Sequence, residues 1–272
     1  MAAPIAPPLN ALISLSGRTA LVTGAAGHLG STMAMALAEA GAALALSDRD
    51  ATRLETVADE IRQATGATVS AHACDLSDEK AVRALPHAVA ERHGGLDVLL
   101  NNAAFVGTSA LSGWAEPFEG QTTEAWRAAM EVNVTSAFEL CQSAAPLLAA
   151  SGHGSIINIA SIYGILGPDW SLYAGTRMAN PAAYAASKGA LIQLTRWLAT
   201  TIGPAVRVNS VCPGGIARGQ PASFVSQYEA RTPLKRMGTE ADFRGIAVFL
   251  ASDMSAYVTG QNIVVDGGWS AW

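Results

Sequence analysis

The segment Thr19-Ala-Leu-Val-Thr-Gly-Ala-Ala-Gly-His-Leu-Gly30 decides the fold of this chain. A short apolar run leads into three glycines, Gly24, Gly27 and Gly30, and a helical pattern, Leu29–Ala40, opens at the last of them. Glycines let the backbone turn tightly and approach a pyrophosphate, and the amino terminus of the helix then faces that negative charge. The segment therefore predicts a strand, a phosphate-binding turn and a helix.

Further apolar runs alternate with amphipathic stretches along the rest of the chain. Besides Thr19–Thr23, the predicted strands are Ala42–Ser47, Thr68–Ala73, Val98–Asn101, Ser155–Ala160, Val206–Val211 and Ile263–Val265. They lack polar alternation, which is typical of strands covered on both faces. The predicted helices are Leu29–Ala40, Ala51–Thr65, Asp78–Arg92, Thr123–Ala149, Ala182–Thr201 and Glu240–Ala251. This alternation predicts an α/β fold, a Rossmann-type doubly wound parallel sheet of about seven strands with helices on both faces.

The domain prediction is a single nucleotide-binding domain over residues 1–272, because no linker, repeat or low-complexity stretch interrupts the alternation. Residues 1–15 form an N-terminal extension. Three loops, residues 103–121, 162–181 and 213–239, break the pattern, each after a predicted strand. In open α/β sheets ligands bind outside the carboxyl ends of the strands, and long loops there are often functional. We therefore predict that these loops contact the substrate.

The composition excludes several classes of function. The net charge of −5 argues against nucleic-acid binding, and the five scattered histidines show no metal-ligand spacing. Cys74, Cys141 and Cys212 are odd in number and widely spaced, which indicates buried free thiols in a reducing compartment. Residues 1–17 do not resemble a secretory signal, and the apolar run Ala11–Leu15 is too short to span a bilayer. We therefore expect a cytoplasmic protein with no membrane or nucleic-acid partner.

A second motif, Tyr184-Ala-Ala-Ser-Lys188, indicates acid–base chemistry, because it places a phenol and an ammonium on one helix face. A free tyrosine has a pKa of about 10. A cation at about 4 Å, at an effective dielectric of about 20, favours the phenolate by roughly 4 kcal/mol. The pair therefore predicts a general acid/base usable near neutral pH. Tyr163 and Tyr173 are rival bases, but the partner of Tyr173 at i+4 is Arg177, which suits a fixed anion better than proton transfer.

Acidic residues follow the second and third predicted strands. A carboxylate at Asp48 can accept both ribose hydroxyls of adenosine and would repel a 2′-phosphate, so NAD is favoured over NADP. The adjacent Arg49 softens that repulsion. Asp48 could instead cap the next helix, a role that Asp50 could also fill. Asp75 either meets the adenine ring or caps the helix that follows it.

Taken in order, these motifs resemble the single-domain branch of the short-chain dehydrogenase/reductase family, from about Leu15 to Gly268. The resemblance also rests on Asn101-Asn-Ala-Ala104, Asn133, Ser161, Pro213-Gly-Gly and Thr259-Gly-Gln-Asn-Ile-Val-Val-Asp-Gly-Gly268. It implies an NAD-dependent enzyme that interconverts a secondary alcohol and a ketone. The residues it places against the cofactor are Gly24, Gly27, His28, Leu29, Gly30, Asp48, Arg49, Asp75, Leu76, Asn101, Asn102, Ala103, Ala104, Tyr184, Lys188, Pro213, Gly214 and Ile216.

The resemblance also implies roles for four catalytic residues. Tyr184 would exchange a proton with the substrate, and Lys188 would lower the tyrosine pKa and hydrogen-bond the nicotinamide ribose. Ser161 would hydrogen-bond the reacting oxygen and stabilise charge as it develops. Asn133 would hold a water that links Lys188 to solvent. Simpler alternatives remain open, since Asn133 could be a buried structural amide and Ser161 could merely end a strand.

The chain departs from the family pattern at several positions. His28 stands where the second glycine of the turn is usual, and either contacts a phosphate or is a surface residue. Ala104 replaces a glycine, and the threonine that often follows the Pro-Gly pair is replaced near Arg218. An insertion at residues 167–177 lengthens the gap between the predicted serine and tyrosine of the site.

The loops are rich in aromatic and arginine side chains. These are Trp114 and Phe118 in the first loop, Trp170, Tyr173 and Arg177 in the insertion, and Arg218, Tyr228 and Arg231 in the third loop. Aromatic faces suit a sugar ring, and arginines suit phosphate or carboxylate. The insertion is also similar to one in family members thought to act on sugars. We therefore predict a sugar, sugar-nucleotide or polyol substrate touching Ser161, Tyr184, Trp170 and Arg218, unless these aromatics pack the loops or a subunit interface.

Two rival functions are less consistent with these residues. An NADPH-dependent 3-oxoacyl-thioester reductase of the same family is disfavoured by Asp48. A non-catalytic nucleotide-binding regulator is disfavoured by the intact set of Ser161, Tyr184 and Lys188.

The resemblance further implies a homotetramer or homodimer. Its contacts would form through the helices Thr123–Ala149 and Ala182–Thr201 and through the C-terminal segment. There Trp269 and Trp272 would be buried in the interface.

Overall fold

A computed structural model describes residues 7–105, 111–176 and 178–272. Its centre is a sheet of parallel strands: β1 Thr19–Thr23, β2 Ala43–Asp48, β3 Val69–Ala73, β4 Val98–Asn101, β5 Ser155–Ile159, β6 Arg207–Pro213 and β7 Asn262–Val265. Their order across the sheet is β3-β2-β1-β4-β5-β6-β7. The order reverses between β1 and β4, and a ligand crevice opens at such a reversal in doubly wound sheets. The predicted fold is confirmed, and each strand end lies within about two residues of its predicted position.

Helices cover both faces of this sheet. The described helices are α1 Leu9–Ile13, α2 His28–Glu39, α3 Ala51–Thr65, α4 Glu79–His93, α5 Thr123–Met130, α6 Ser136–Ser151, α7 Ala182–Ile202, α8 Ala222–Arg231 and α9 Arg244–Ala251. Helices α2, α3 and α9 pack on one face, and α4, α6 and α7 pack on the other. In β1, Ala20 and Val22 face the first group while Leu21 faces the second. Both faces of each central strand are therefore buried, which explains the missing polar alternation.

Several predicted elements need correction. The predicted helix over residues 123–149 is interrupted by the π-helical turn Glu131–Thr135, which separates α5 from α6. The predicted loop at residues 213–239 contains α8, which buries only Phe224 and Tyr228, one turn apart. So narrow an apolar stripe is hard to recognise in a sequence. Helix α1 in the N-terminal extension buries no residue, so its sequence shows no apolar pattern that would predict a helix.

Two other features bear on the sequence predictions. Cys74, Cys141 and Cys212 are buried free thiols, as predicted. In the part of the chain that the structure describes, no helix has both the length and the hydropathy needed to cross a membrane.

Candidate active site

The glycine turn after β1 has no room for side chains. Gly24 has φ +64°, and a Cβ there would lie 2.7 Å from the Cα of Ala103. A Cβ on Gly30 would lie 2.7 Å from Nδ2 of Asn102 and nearer still to the carbonyl oxygen of Gly24. The Asn102 amide donates to the carbonyl oxygens of Thr23 at 3.0 Å and Gly24 at 3.1 Å. The end of β4 thus holds the turn in the compact form that exposes backbone N–H groups at a helix amino terminus.

A cavity of about 580 Å³, here called the first cavity, lies beside this turn. All the residues predicted to line the cofactor lie on its wall, except Asn101. Ser161 and Arg218 lie on the wall as well, whereas Asn133 and Trp170 do not. The wall also includes Phe105, Val132 and Gln220, which the sequence did not predict. Each of these residues lies in or next to a predicted loop or motif. The strand ends at the order reversal therefore bring most of the predicted site together.

Asn101 is a correction to the predicted cofactor contacts. Its side-chain amide is buried in the sheet, where it donates to Oδ1 of Asn158 at 2.9 Å and contacts Sγ of Cys141 at 3.4 Å. Successive side chains along a strand point to opposite faces, so Asn102 faces the glycine turn and its neighbour does not.

Asp48 lies on the cavity wall at the end of β2. Its carboxylate accepts from the backbone N–H groups of Ala26 at 3.1 Å and Asp50 at 3.2 Å. Asp50 caps α3 by accepting from the N–H of Arg53 at 3.0 Å. The capping alternative for Asp48 is therefore wrong, and its carboxylate remains beside the cavity.

Asp75 also lies on this wall. It accepts from the backbone N–H of Ser77 at 2.9 Å and from its hydroxyl at 2.8 Å, and these bonds hold the pKa of the carboxyl below its usual value. Asp78, and not Asp75, caps α4. His28 is the first residue of α2, is exposed, and lies on the wall close to the turn.

Tyr184 and Ser161 meet at the other end of the first cavity. The Ser161 side chain lies close enough to the phenol of Tyr184 to lower the tyrosine pKa. Burial has a larger and opposite effect, so the pKa of Tyr184 lies above its ordinary value. The predicted lowering of the Tyr184 pKa is therefore wrong for the protein without a bound cofactor. The prediction included the attraction to Lys188 but not the cost of desolvation.

Lys188 is buried in α7 behind Tyr184. Its Nζ donates to the carbonyl oxygen of Ile159 at 2.8 Å and lies 5.7 Å from the centre of the Tyr184 ring. Burial lowers the pKa of this ammonium to about 8. The cation thus lies within electrostatic reach of the phenol and on the same cavity wall.

Asn133 lies in the π-helical turn behind the site. Its Nδ2 donates to Oγ of Ser187 at 2.9 Å, and its Oδ1 accepts from the N–H of Phe105 at 2.6 Å. The amide therefore ties α7 to the segment that follows β4. Its predicted role in holding a water remains a prediction.

The rival tyrosines bond to each other. The hydroxyls of Tyr163 and Tyr173 are 2.6 Å apart, and burial raises the pKa of Tyr163. Neither residue lies on the wall of the first cavity, whereas Tyr184 does. The geometry therefore favours Tyr184 among the three.

Known proteins match this chain along nearly its whole length. A family model described as enoyl-(acyl carrier protein) reductase matches residues 24–270. A 2,5-dichloro-2,5-cyclohexadiene-1,4-diol dehydrogenase from Sphingobium indicum is 33% identical over 261 residues, which is 94% of this chain and 97% of the relative. This chain belongs to the short-chain dehydrogenase/reductase family. Its members are oxidoreductases acting on CH–OH groups, so the predicted enzyme class is confirmed.

Solved structures of the family share the fold. A 7α-hydroxysteroid dehydrogenase complexed with NADH and 7-oxo glycochenodeoxycholic acid has a TM-score of 0.85 at 31% identity, covering 96% of this chain and 98% of that one. A gluconate 5-dehydrogenase from Burkholderia cenocepacia in complex with NADP and tartrate has a TM-score of 0.85 at 32% identity, covering 97% and 99%. These neighbours differ in both cofactor and substrate.

The loop residues of this short-chain dehydrogenase/reductase divide into two groups. Trp114 and Tyr228 are buried, so these two aromatic side chains pack inside the protein, which is the alternative to a substrate contact. Phe118 and Trp170 are 78% and 59% exposed and line a second cavity of about 830 Å³, beside the amino-terminal end of α7. The predicted Trp170 contact therefore belongs to this second cavity. Residues 106–110 of the first loop and Arg177 of the insertion lie outside the described residues.

Two arginines predicted to meet an anion are paired within the chain. Nε of Arg218 lies 3.0 Å from Oε1 of Glu240. Arg231 forms an ion pair with Asp169 of the insertion, and its guanidinium carbon lies 4.3 Å from the ring centre of Trp269. Their positive charge is already partly neutralised, which weakens the predicted phosphate or carboxylate site.

Trp269 is another correction. It is 1% exposed and stacks on Tyr228 at a centroid distance of 5.7 Å, so it is buried within its own chain and not at a subunit surface. Trp272 is 72% exposed.

Proposed function

We propose that this enzyme is an NAD-dependent dehydrogenase that interconverts a secondary alcohol and a ketone, with Tyr184 as the general acid/base. The observation that carries the proposal is that Tyr184, Ser161 and Lys188 line the same cavity as Asp48 and the glycine turn, with the Ser161 side chain close enough to lower the pKa of Tyr184. This arrangement provides a proton acceptor, a hydrogen-bond donor and a cation around one position.

The residues of the first cavity fit a dinucleotide. The glycine turn is packed too tightly for a Cβ at Gly24 or Gly30 and lies on the cavity wall at the amino terminus of α2, where a pyrophosphate would face backbone N–H groups. Asp48 would accept the adenosine ribose hydroxyls, and Lys188 would donate to the other ribose. When bound, NAD supplies the hydride chemistry and a positive charge that favours the phenolate.

The side chains of the protein transfer the proton and stabilise the developing charge. In oxidation, the phenolate of Tyr184 accepts the proton of the substrate hydroxyl. The Ser161 hydroxyl donates to the reacting oxygen and so positions it. The ammonium of Lys188 stabilises the phenolate, because its charge lies close by in a region with little water. In ketone reduction the same groups act in reverse, with Tyr184 as the acid.

Cofactor preference can be tested at Asp48. We expect Asp48→Ser to lower the ratio of kcat/KM for NAD to kcat/KM for NADP by about 10-fold or more, because the carboxylate repels a 2′-phosphate. Asp50→Ser is the matched control, since Asp50 caps α3 and does not line the cavity. Steady-state kinetics with both coenzymes measures the ratio. A ratio that Asp48→Ser leaves unchanged would contradict a preference for NAD set by Asp48.

The sequence-based substrate prediction of a sugar, sugar nucleotide or polyol has support from the gluconate 5-dehydrogenase neighbour. A cyclic alcohol has support from the cyclohexadienediol and 7α-hydroxysteroid dehydrogenases. Secondary alcohols are the class common to both.

We further infer a homodimer or homotetramer in the cytoplasm. The support is a set of large apolar side chains exposed on α5, α6 and α7: Trp126 at 41%, Phe138 at 38% and Trp197 at 55%. Large exposed apolar groups on neighbouring helices are typical of interaction surfaces. We expect light scattering to give a multiple of the 27.9 kDa chain mass. A mass equal to one chain would rule the assembly out.

A further inference from the structure

We propose that the second cavity binds the distal part of the substrate, and that the substrate is an uncharged alicyclic alcohol or ketone carrying a second hydroxyl that hydrogen-bonds Asn180. This inference rests on the proposed function, because it takes Tyr184 as the reacting centre. It differs from the substrate predicted from the sequence, which was a sugar or polyol.

The first turn of α7 contributes to the walls of both cavities, although no described residue lines both. It contributes Tyr184 to the first cavity and Ala182 and Ala185 to the second. Tyr173 lies on the wall of the second cavity, and it is close enough to Tyr184 to raise that residue's pKa. A molecule that reacts at Tyr184 can therefore extend toward the second cavity.

The wall of the second cavity is mainly apolar. Phe118 and Trp170 present large exposed aromatic faces, and Met178, Pro117 and Pro168 contribute further apolar surface. The volume of about 830 Å³ is in the range of small-molecule sites. Apolar walls of this kind favour a hydrocarbon ring over a polyol, because burying many hydroxyls without partners is costly.

Asn180 is a buried polar residue of this wall that lacks a full set of partners. It is 6% exposed, its Nδ2 contacts the Tyr173 hydroxyl at a long 3.4 Å, and its Oδ1 has no hydrogen-bond partner. A buried amide oxygen left unpaired is unfavourable. Its accessible surface is almost nil in the free protein, so we expect the wall to shift when a ligand hydroxyl pairs with it. A hydroxyl can both donate and accept, so it suits the amide in either orientation.

Two other polar side chains on the wall already have hydrogen-bond partners. Gln121 accepts from the N–H of Ala182 at 2.9 Å and donates to the carbonyl oxygen of Glu116 at 3.1 Å. Thr176 donates to the carbonyl oxygen of Tyr173 at 2.8 Å. Besides Asn180 and the carboxylate of Glu116, little hydrogen-bonding capacity is therefore left on the described wall, which suits a ligand with few hydroxyls.

Charge also disfavours an anionic ligand. Among the described residues that line the second cavity, the charged one is Glu116, whose carboxylate would repel an acid. Arg218 and Arg231 are paired with Glu240 and Asp169. Sugar acids and sugar phosphates thus find no cation among the described residues that line the second cavity.

The test compares four alcohols with NAD: decalin-2,6-diol, the matched decalin-2-ol, xylitol and gluconate. We expect the wild-type kcat/KM to be highest for the diol, by about 10-fold over the mono-alcohol, as one neutral hydrogen bond allows. We expect Asn180→Ala to raise KM for the diol until its kcat/KM equals that of the mono-alcohol. The kcat/KM for decalin-2-ol should change less than about 2-fold. Thermal unfolding verifies that the variant is folded.

Trp170→Ala provides a second measurement that does not depend on Asn180. Its side chain is mostly exposed, so the fold should tolerate the change. We expect KM to rise about 5-fold for both decalin alcohols and to stay unchanged for 2-butanol, which is too small to reach beyond the first cavity.

The outcomes separate the two proposals. Preference for xylitol or gluconate, with activity that still depends on Tyr184, overturns the substrate inference and leaves the proposed function standing. Equal losses for the diol and the mono-alcohol in Asn180→Ala also overturn it. No oxidation of any alcohol by the wild type contradicts the proposed function, and the inference with it.

Discussion

Replacing Tyr184 by Phe is expected to lower kcat for alcohol oxidation by about 1000-fold, because a positioned general acid/base contributes on the order of 100- to 10,000-fold. The phenyl ring keeps its place beside Ser161, so NAD affinity should change little. Steady-state kinetics and an NADH fluorescence titration measure the two quantities. A variant that oxidises alcohols at the wild-type rate would show that another group is the base.

The pH profile provides a second test of the same residue. Burial raises the pKa of Tyr184, so the phenolate is the minor form at neutral pH. Oxidation requires the phenolate and should accelerate as the pH rises, whereas ketone reduction requires the phenol and should slow. Tyr184→Phe should lose both trends. Tyr163→Phe is the matched control, since its hydroxyl bonds Tyr173 away from the first cavity, and it should keep most of the activity.

Gly30→Ala is expected to weaken dinucleotide binding by about 100-fold and to lower the melting temperature. The added methyl group would lie 2.7 Å from Nδ2 of Asn102 and closer to the Gly24 carbonyl oxygen, both fixed by the hydrogen bond that joins them. Overpacking a rigid site typically costs about 1–3 kcal/mol. The turn must move, and its N–H groups then no longer face the pyrophosphate.

Gly245→Ala is the control for this change. Gly245 lies in α9, and a Cβ there would meet no atom within 4 Å. Alanine is more favourable than glycine inside a helix, so this variant should bind NADH normally and melt at the same or a higher temperature. NADH titration and thermal unfolding compare the two variants. Normal NADH affinity in Gly30→Ala would contradict the pyrophosphate role given to the turn.

The strands and the residues that line the first cavity could be predicted because both depend on local pattern and on one rule of topology. Apolar runs mark buried strands, and parallel strands bring their carboxyl ends to one edge. Asn101 shows the limit of this reasoning. The residue and its neighbour Asn102 are both in the motif, but a shift of one residue along a strand reverses the face, and the sequence does not show which amide meets the turn.

Other features depend on contacts between distant parts of the chain. Asp169 and Arg231 pair across 62 residues, so the sequence could not show that this arginine is already neutralised. The pKa of Tyr184 depends on how completely the surrounding segments exclude water, and a sequence motif does not show this degree of burial. Helix α8 rests on two apolar residues whose burial is decided by Trp269 and by the insertion.

The stack of Arg231 on Trp269, joined to Asp169, links the last residues of the polypeptide to the insertion beside the second cavity. The tail thus helps to hold the insertion in place, although it is far from the glycine turn in sequence. An affinity tag is therefore better fused ahead of α1, a helix that buries no side chain, than after Trp272. Libraries aimed at new substrates should vary the tail together with the insertion.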